Sequence, residues 1–151
     1  MTTENANGNE NNDSSIGKNI SENFSKISEI PLSVFQGNAS GLESISQYLK
    51  ENLGFRYCEI AQILNRDDRT VWGAHFAAKQ KANIHINFDS SIKIPLSIFK
   101  DRKLSVLEAI SEYLKETHSM RFSVIARLLN KDQRTIWTVY SRAKKKRKNA
   151  S

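Results

Sequence analysis

A chain of 151 residues with 38% hydrophobic content is poor in apolar side chains for one large core, and fits two small cores plus a stretch that buries little. Its formal net charge of +7 and pI near 9.6 favour a polyanionic partner, nucleic acid first among them. The lone Cys58 and the scattered His75, His85 and His118 exclude an internal disulfide and a zinc-type cluster; with no leader-like or membrane-length apolar run, a soluble cytoplasmic protein without metal or cofactor is expected.

In chain order, residues 1–18 (MTTENANGNENNDSSIGK) are dominated by Asn, Glu, Ser, Thr and Gly and are predicted to form a disordered tail. From Asn19 the chain is an internal duplication, with units at 19–82 and 83–147 and a basic tail end at 148–151. IPLSVF at 30–35 returns as IPLSIF at 94–99, SGLESISQYLKE at 40–51 as SVLEAISEYLKE at 105–116, and LNRDDRTVW at 64–72 as LNKDQRTIW at 129–137. A one-residue length difference falls in the loop before the second of these matches. Ile84, Ile86 and Phe88 alternate with polar residues and suggest a short strand or extended arm, and Pro31 and Pro95 are placed to open short helices.

Each unit then predicts three helices, making the fold all-α. Leu42, Ile45, Tyr48 and Leu49, like Leu107, Ile110, Tyr113 and Leu114, share one helical face, with capping boxes at Ser40/Glu43 and Ser105/Glu108. Gly54 suits the end of the first of these helices, where the second unit has Ser119. The second helix buries Ile60, Ala61 and Leu64 in one unit and Ile125, Ala126 and Leu129 in the other. Asn65 and Asn130 mark a tight turn that tolerates a left-handed residue. Asp67 and Asp132 are natural N-caps for a third helix, over 68–81 and 133–146. Its buried stripe is Val71, Ala74 and Ala78, or Ile136, Val139 and Ala143. Trp72 and Trp137 stand a quarter turn from that stripe and are expected at the edge of the core, with DNA contact as the alternative.

EIAQILNRDDRTVW and VIARLLNKDQRTIWTVYSRAKKK resemble the helix-turn-helix of sigma factor region 4. The resemblance implies two tandem trihelical, homeodomain-like helix-turn-helix domains, although that class usually has Gly where this chain has Asn65 and Asn130. The pair of units, each led by IPLS(V/I)F, also resembles an archaeal class of transcription regulators that includes the activator of the euryarchaeal archaellum operon. This implies promoter binding that recruits the basal transcription machinery.

A helix in the major groove presents its N-terminal residues to base edges and phosphates. The expected DNA-contacting set is therefore Arg66, Asp68, Arg69, Thr70, Gly73 and Lys79 in unit one. In unit two it is Lys131, Gln133, Arg134, Thr135, Thr138, Ser141, Arg142, Lys144 and Lys145. Arg69 and Arg134 can pair with guanine or clamp phosphate, and Thr70 and Thr135 can donate to phosphate. Asp68 against Gln133 predicts different bases in the two halves, since Gln reads adenine and Asp only accepts. The run KKKRK at 144–148 is expected to lie along a phosphate backbone and to make unit two the stronger binder. Because a tandem duplication supplies no two-fold axis, a direct-repeat site is expected. The simpler alternative, that these residues merely cap and solvate a helix, stays open. So do two other roles: an adaptor for RNA polymerase or a basal transcription factor, and the DNA-recognition module of a recombinase. The chain has no paired-carboxylate pocket, nucleophile triad or phosphate-cradling Gly loop, so an enzyme is not expected.

Overall fold

The computed structural model describes residues 27–81 and 91–150; the tail expected over 1–18 and the alternation at Ile84, Ile86 and Phe88 lie outside them. The described chain is mainly helical, with one two-stranded sheet. Each unit opens with a three-residue strand, β1 (Glu29–Pro31) and β2 (Lys93–Pro95). Proline has no N–H to continue a ladder, and its φ of −68° in both units turns the chain into a short 3-10 helix, Leu32–Gln36 or Leu96–Lys100. The prolines thus stand one place before these helices rather than at their first position.

The first long helix, α1, runs from Gly41 to Gln47 and continues as a π-helical segment over Tyr48–Asn52. Its counterpart α4 (Val106–Thr117) is α-helical throughout. Both capping boxes form: Ser40 and Ser105 accept from the Glu43 and Glu108 N–H groups, and each glutamate accepts in return from the serine N–H at 2.9 Å. Both helices are followed by a left-handed residue, Gly54 at φ 74° and Ser119 at φ 53°. The second unit therefore accepts a steric cost that glycine avoids in the first.

The remaining helices are α2 (Tyr57–Leu64), α3 (Asp68–Gln80), α5 (Phe122–Leu128) and α6 (Gln133–Ala150). The expected stripes are buried: Ile60, Leu64, Ile125 and Leu129 are fully covered, as are Val71 and Ile136 on the facing helices. In each unit the third helix packs across the other two. Helix α6 does not stop at Lys146 but continues through Ala150, so residues 148–150 are helical rather than a tail. No Gly or Pro interrupts this stretch, and Arg147 pairs with Asp101 and Glu112 on neighbouring segments.

The two small cores expected are also corrected, because one contiguous apolar cluster includes residues of both units. β1 pairs with β2 antiparallel, in a register that sets Ile30 opposite Ile94, its own equivalent in the duplication. Around this pair the contacts are reciprocal. Leu32 N–H donates to Ile92 O at 3.0 Å, and Leu96 N–H to Ser28 O at 2.8 Å. The Asn65 amide donates to Lys100 O at 2.9 Å, and that of Asn130 to Gln36 O at 3.3 Å. Helix α2 packs on the 3-10 helix Leu96–Lys100, and α5 on Leu32–Gln36. The units are thus related by an approximate two-fold, the feature whose supposed absence underlies the direct-repeat expectation. Ile30 and Ile94 are 0% exposed, and burying each stabilises the seam by about 1.5–3 kcal/mol.

Candidate nucleic-acid interface

The site is built on the tight turns between α2 and α3 and between α5 and α6. Asn65 and Asn130 both adopt φ 54°, which reverses the chain within a residue. Arg66 N–H then donates back to Ala61 O at 2.9 Å, and Lys131 N–H to Ala126 O at 2.8 Å, satisfying carbonyls left free at the helix end. Asp67 caps α3 by accepting from Thr70 N–H at 2.7 Å. That backbone bond, with the Thr70 hydroxyl, holds the Asp67 carboxyl below the usual carboxylate range. Ionised Asp67 therefore matches the positive end of the helix dipole.

With Val71 and Ile136 locked inward, helical spacing sets Arg69, Trp72, Gly73 and Phe76 on one outward face of α3. Arg134, Trp137, Thr138 and Ser141 share the equivalent face of α6. Asp68, Arg69, Thr70, Gln133, Arg134 and Thr135 are all exposed in the first turns, and Arg69 and Arg134 enter no ion pair among the described residues. Thr138 is half-buried, its hydroxyl bonded back to Arg134 O at 2.9 Å. Ser141 and Gly73 are half-buried, and space is open around Gly73, where an added β-carbon would meet nothing within 4 Å. Lys79, Arg142 and Lys145 are exposed, and Lys131 is half-buried at its turn.

Several expectations change. The tryptophans do not lie at the core edge: Trp72 is 52% and Trp137 58% exposed. Trp72 stacks on Phe76 at 5.4 Å with rings 10° apart, and Phe76 is itself 53% exposed. One residue past Val71 or Ile136 is about 100° round the helix, which carries the indole off the buried stripe.

The half-buried Arg66 is engaged within the fold. Its guanidinium donates to Leu64 O at 3.0 Å and, across the seam, to Leu104 O at 3.1 Å. Burial and the nearby Arg102 lower its pKa, and its role here is to join the units. The run at 144–148 is largely neutralised within the fold rather than free to follow a backbone. Lys144 pairs with Glu116 at 2.7 Å, Lys146 with Glu108 at 2.7 Å, and Arg147 with Asp101 at 2.7 Å and Glu112 at 2.8 Å. Lys145 points elsewhere on the helix and enters none of these pairs.

Reading along the chain missed two exposed cations, Arg102 and Lys103. Their loop belongs to unit two but abuts the α2–α3 turn of unit one through the Asn65 and Arg66 bonds to Lys100 O and Leu104 O. Arg102 acts through space on both Arg66 and Asp67. The available signal was the length difference, since this loop carries the additional residue and three cations where unit one has none.

Behind the face, His75 is buried. Its Nδ1 lies 2.8 Å from the Tyr57 hydroxyl and its Nε2 2.7 Å from Glu51, which ties α3 to both other helices of its unit. Tyr140 takes this place in unit two, edge-on to Phe122 at 5.3 Å. Cys58 is a half-buried free thiol. Among the described residues no group of His, Cys, Asp or Glu is arranged to hold a metal ion, and no helix is long and apolar enough to cross a membrane. Comparison with protein-family models, curated proteins and solved structures gave no match.

Proposed function

We propose that this protein is a non-enzymatic, sequence-specific double-stranded DNA-binding transcription regulator, with α3 and α6 acting as the recognition helices of two helix-turn-helix units. The observation that carries the reading is a pair of equivalent exposed faces, each with an Arg-Thr pair in its first turn and an arginine that enters no ion pair among the described residues. Each face sits on a helix whose opposite side is locked into the core. Arg69 and Arg134 reach guanine or phosphate, and Thr135 donates to phosphate from the positive helix end. Gln133 reads adenine where Asp68 accepts from cytosine, and Trp72 and Trp137 offer apolar edges to thymine methyl groups. Backbone attraction comes from Lys79, Arg142 and Lys145, with Arg102 and Lys103 beside the first recognition helix.

The test is selection from random-sequence duplexes with the intact protein, followed by titration of Arg69→Ala and Arg134→Ala. Each variant is expected to lose about 1–3 kcal/mol of discrimination at its own base position. Affinity unchanged by both substitutions rejects the reading.

One observation favours a second role for unit one. The stacked Trp72 and Phe76 form an exposed apolar patch with no equivalent in unit two, where Ser141 replaces Phe76. Such a patch suits a protein partner, including polymerase or a basal transcription factor. Trp72→Ala would then abolish partner capture while leaving the half-site of α6 intact.

A further inference from the structure

Three pairs of equivalent residues meet one another across the seam. Ile30 faces Ile94 in the sheet, and the Phe35 and Phe99 rings lie 5.9 Å apart. Gly41 abuts Val106 so closely that a β-carbon on Gly41 would stand 2.9 Å from Val106 Cγ1. A residue that touches its own counterpart lies on the axis exchanging the two units. Contacts away from the axis come in exchanged pairs, as the Leu32/Leu96 and Asn65/Asn130 bonds do. The same operation carries α3 onto α6, so the two exposed faces are related by rotation about that axis and not by translation along the chain.

We propose that the DNA element is an imperfect inverted repeat held by a single chain, with α3 on one half and α6 on the other. The proposal rests on the DNA-reading function above. Duplex DNA has local two-fold axes across its length, and a protein with a matching axis sets equivalent side chains on equivalent bases of opposite strands. A direct repeat would require one unit to turn about the other. The shared core resists this, because Ile30, Leu32, Phe35, Ile94, Leu96 and Phe99 are each no more than 3% exposed. The repeat is imperfect because the faces differ at defined places. Arg69/Arg134, Thr70/Thr135 and Trp72/Trp137 are common to both, whereas Asp68/Gln133, Gly73/Thr138 and Phe76/Ser141 are not. The two halves thus share a central pair of base positions and diverge beside them.

The experiment takes the sequences enriched by the intact chain and builds duplexes with the two halves inverted, direct, or single, at several spacings. Binding and stoichiometry are measured on each, for wild type and for Arg134→Ala. The inverted arrangement at one spacing should bind one chain per duplex, at least ~10-fold tighter than either other arrangement, given the ~10²–10⁴-fold gain available to linked modules. Arg134→Ala should reduce binding to that of the single half. Equal or tighter binding to a direct repeat overturns the proposal while leaving DNA reading intact, and so do two chains per inverted repeat. Absence of any enriched sequence, with weak binding that disappears as salt rises, overturns the DNA-reading function and this proposal with it.

Discussion

Asn65 and Asn130 each serve the fold twice. Their backbones take the left-handed conformation that reverses the chain, and their side-chain amides donate across the seam to Lys100 O and Gln36 O. Glycine would supply the first property and forfeit the second. Glu43 shows the same economy, because its carboxylate accepts from Ser40 N–H at 2.9 Å and from Lys81 at 2.6 Å. Partial burial pushes its carboxyl up, but Lys81 and the Ser40 N–H outweigh this, and the group ionises below its ordinary value of 4.5. A depressed carboxyl pKa contributes stability that is present above the unfolded value and is lost as pH falls through the folded one. The expected outcome is that wild-type stability declines as pH drops below 4.5, while Glu43→Gln starts lower at neutral pH and declines less over the same window. Urea unfolding at a series of pH values checks this, and parallel profiles for the two proteins would assign the acid sensitivity to other carboxyls. Asp67 and Glu116 are shifted in the same direction, by Thr70 and Lys144 respectively, and add to the trend.

Among the elements, α6 is the one whose chemistry differs most from its composition. Five consecutive basic residues occupy 144–148, yet the side facing α4 is matched by Glu108, Glu112 and Glu116, spaced to occupy one stripe of that helix. Arg142 and Lys145 are left to the solvent. On the DNA-reading proposal, the double variant Arg142→Ala/Lys145→Ala should flatten the salt dependence of binding by a slope of about 2, near 0.9 per phosphate contact. Arg147→Ala should leave that slope unchanged and lower the thermal midpoint. Titrations at four or more salt concentrations, as well as thermal melts, separate the two effects. The contrast shows which features were legible in the sequence. Capping boxes, the asparagine turns and the buried stripes of α2 and α3 depend on residues within about one helical turn of each other, so spacing alone exposes them. The partners of Lys146 and Arg147 lie on another helix and on a loop, at separations of 38, 35 and 46 residues. A run of like charge therefore read as open. Trp72 and Trp137 misled for a related reason. Burial of an indole depends on what the neighbouring helices cover, and one residue past Val71 or Ile136 lies about 100° round the helix, off the buried stripe.

At the scale of the whole molecule, the seam was the least legible feature, since strands of three residues carry no periodic signal and pair across the entire first unit. One close point is Gly41 against Val106, where even one carbon would press to 2.9 Å from Val106 Cγ1 and 3.2 Å from the Leu107 backbone nitrogen. Gly41→Ala is expected to destabilise the chain by about 1–3 kcal/mol, as overpacking does, despite the gain in helix propensity. Chemical denaturation of Gly41→Ala beside Gly41→Ala/Val106→Ala checks this: the second change should recover most of the loss, and an equal loss in both would place the cost elsewhere. The pairing also means that the halves are not interchangeable, because two glycines would leave a void at the axis and two valines would collide. A pair of matched but unlike halves assembled from separate chains would require an encounter whose extent depends on concentration. Joined in one chain, they are always present in equal number and already paired. Occupancy of any ligand that spans both halves should therefore rise hyperbolically with protein concentration, with no dimerisation threshold to cross at low copy number.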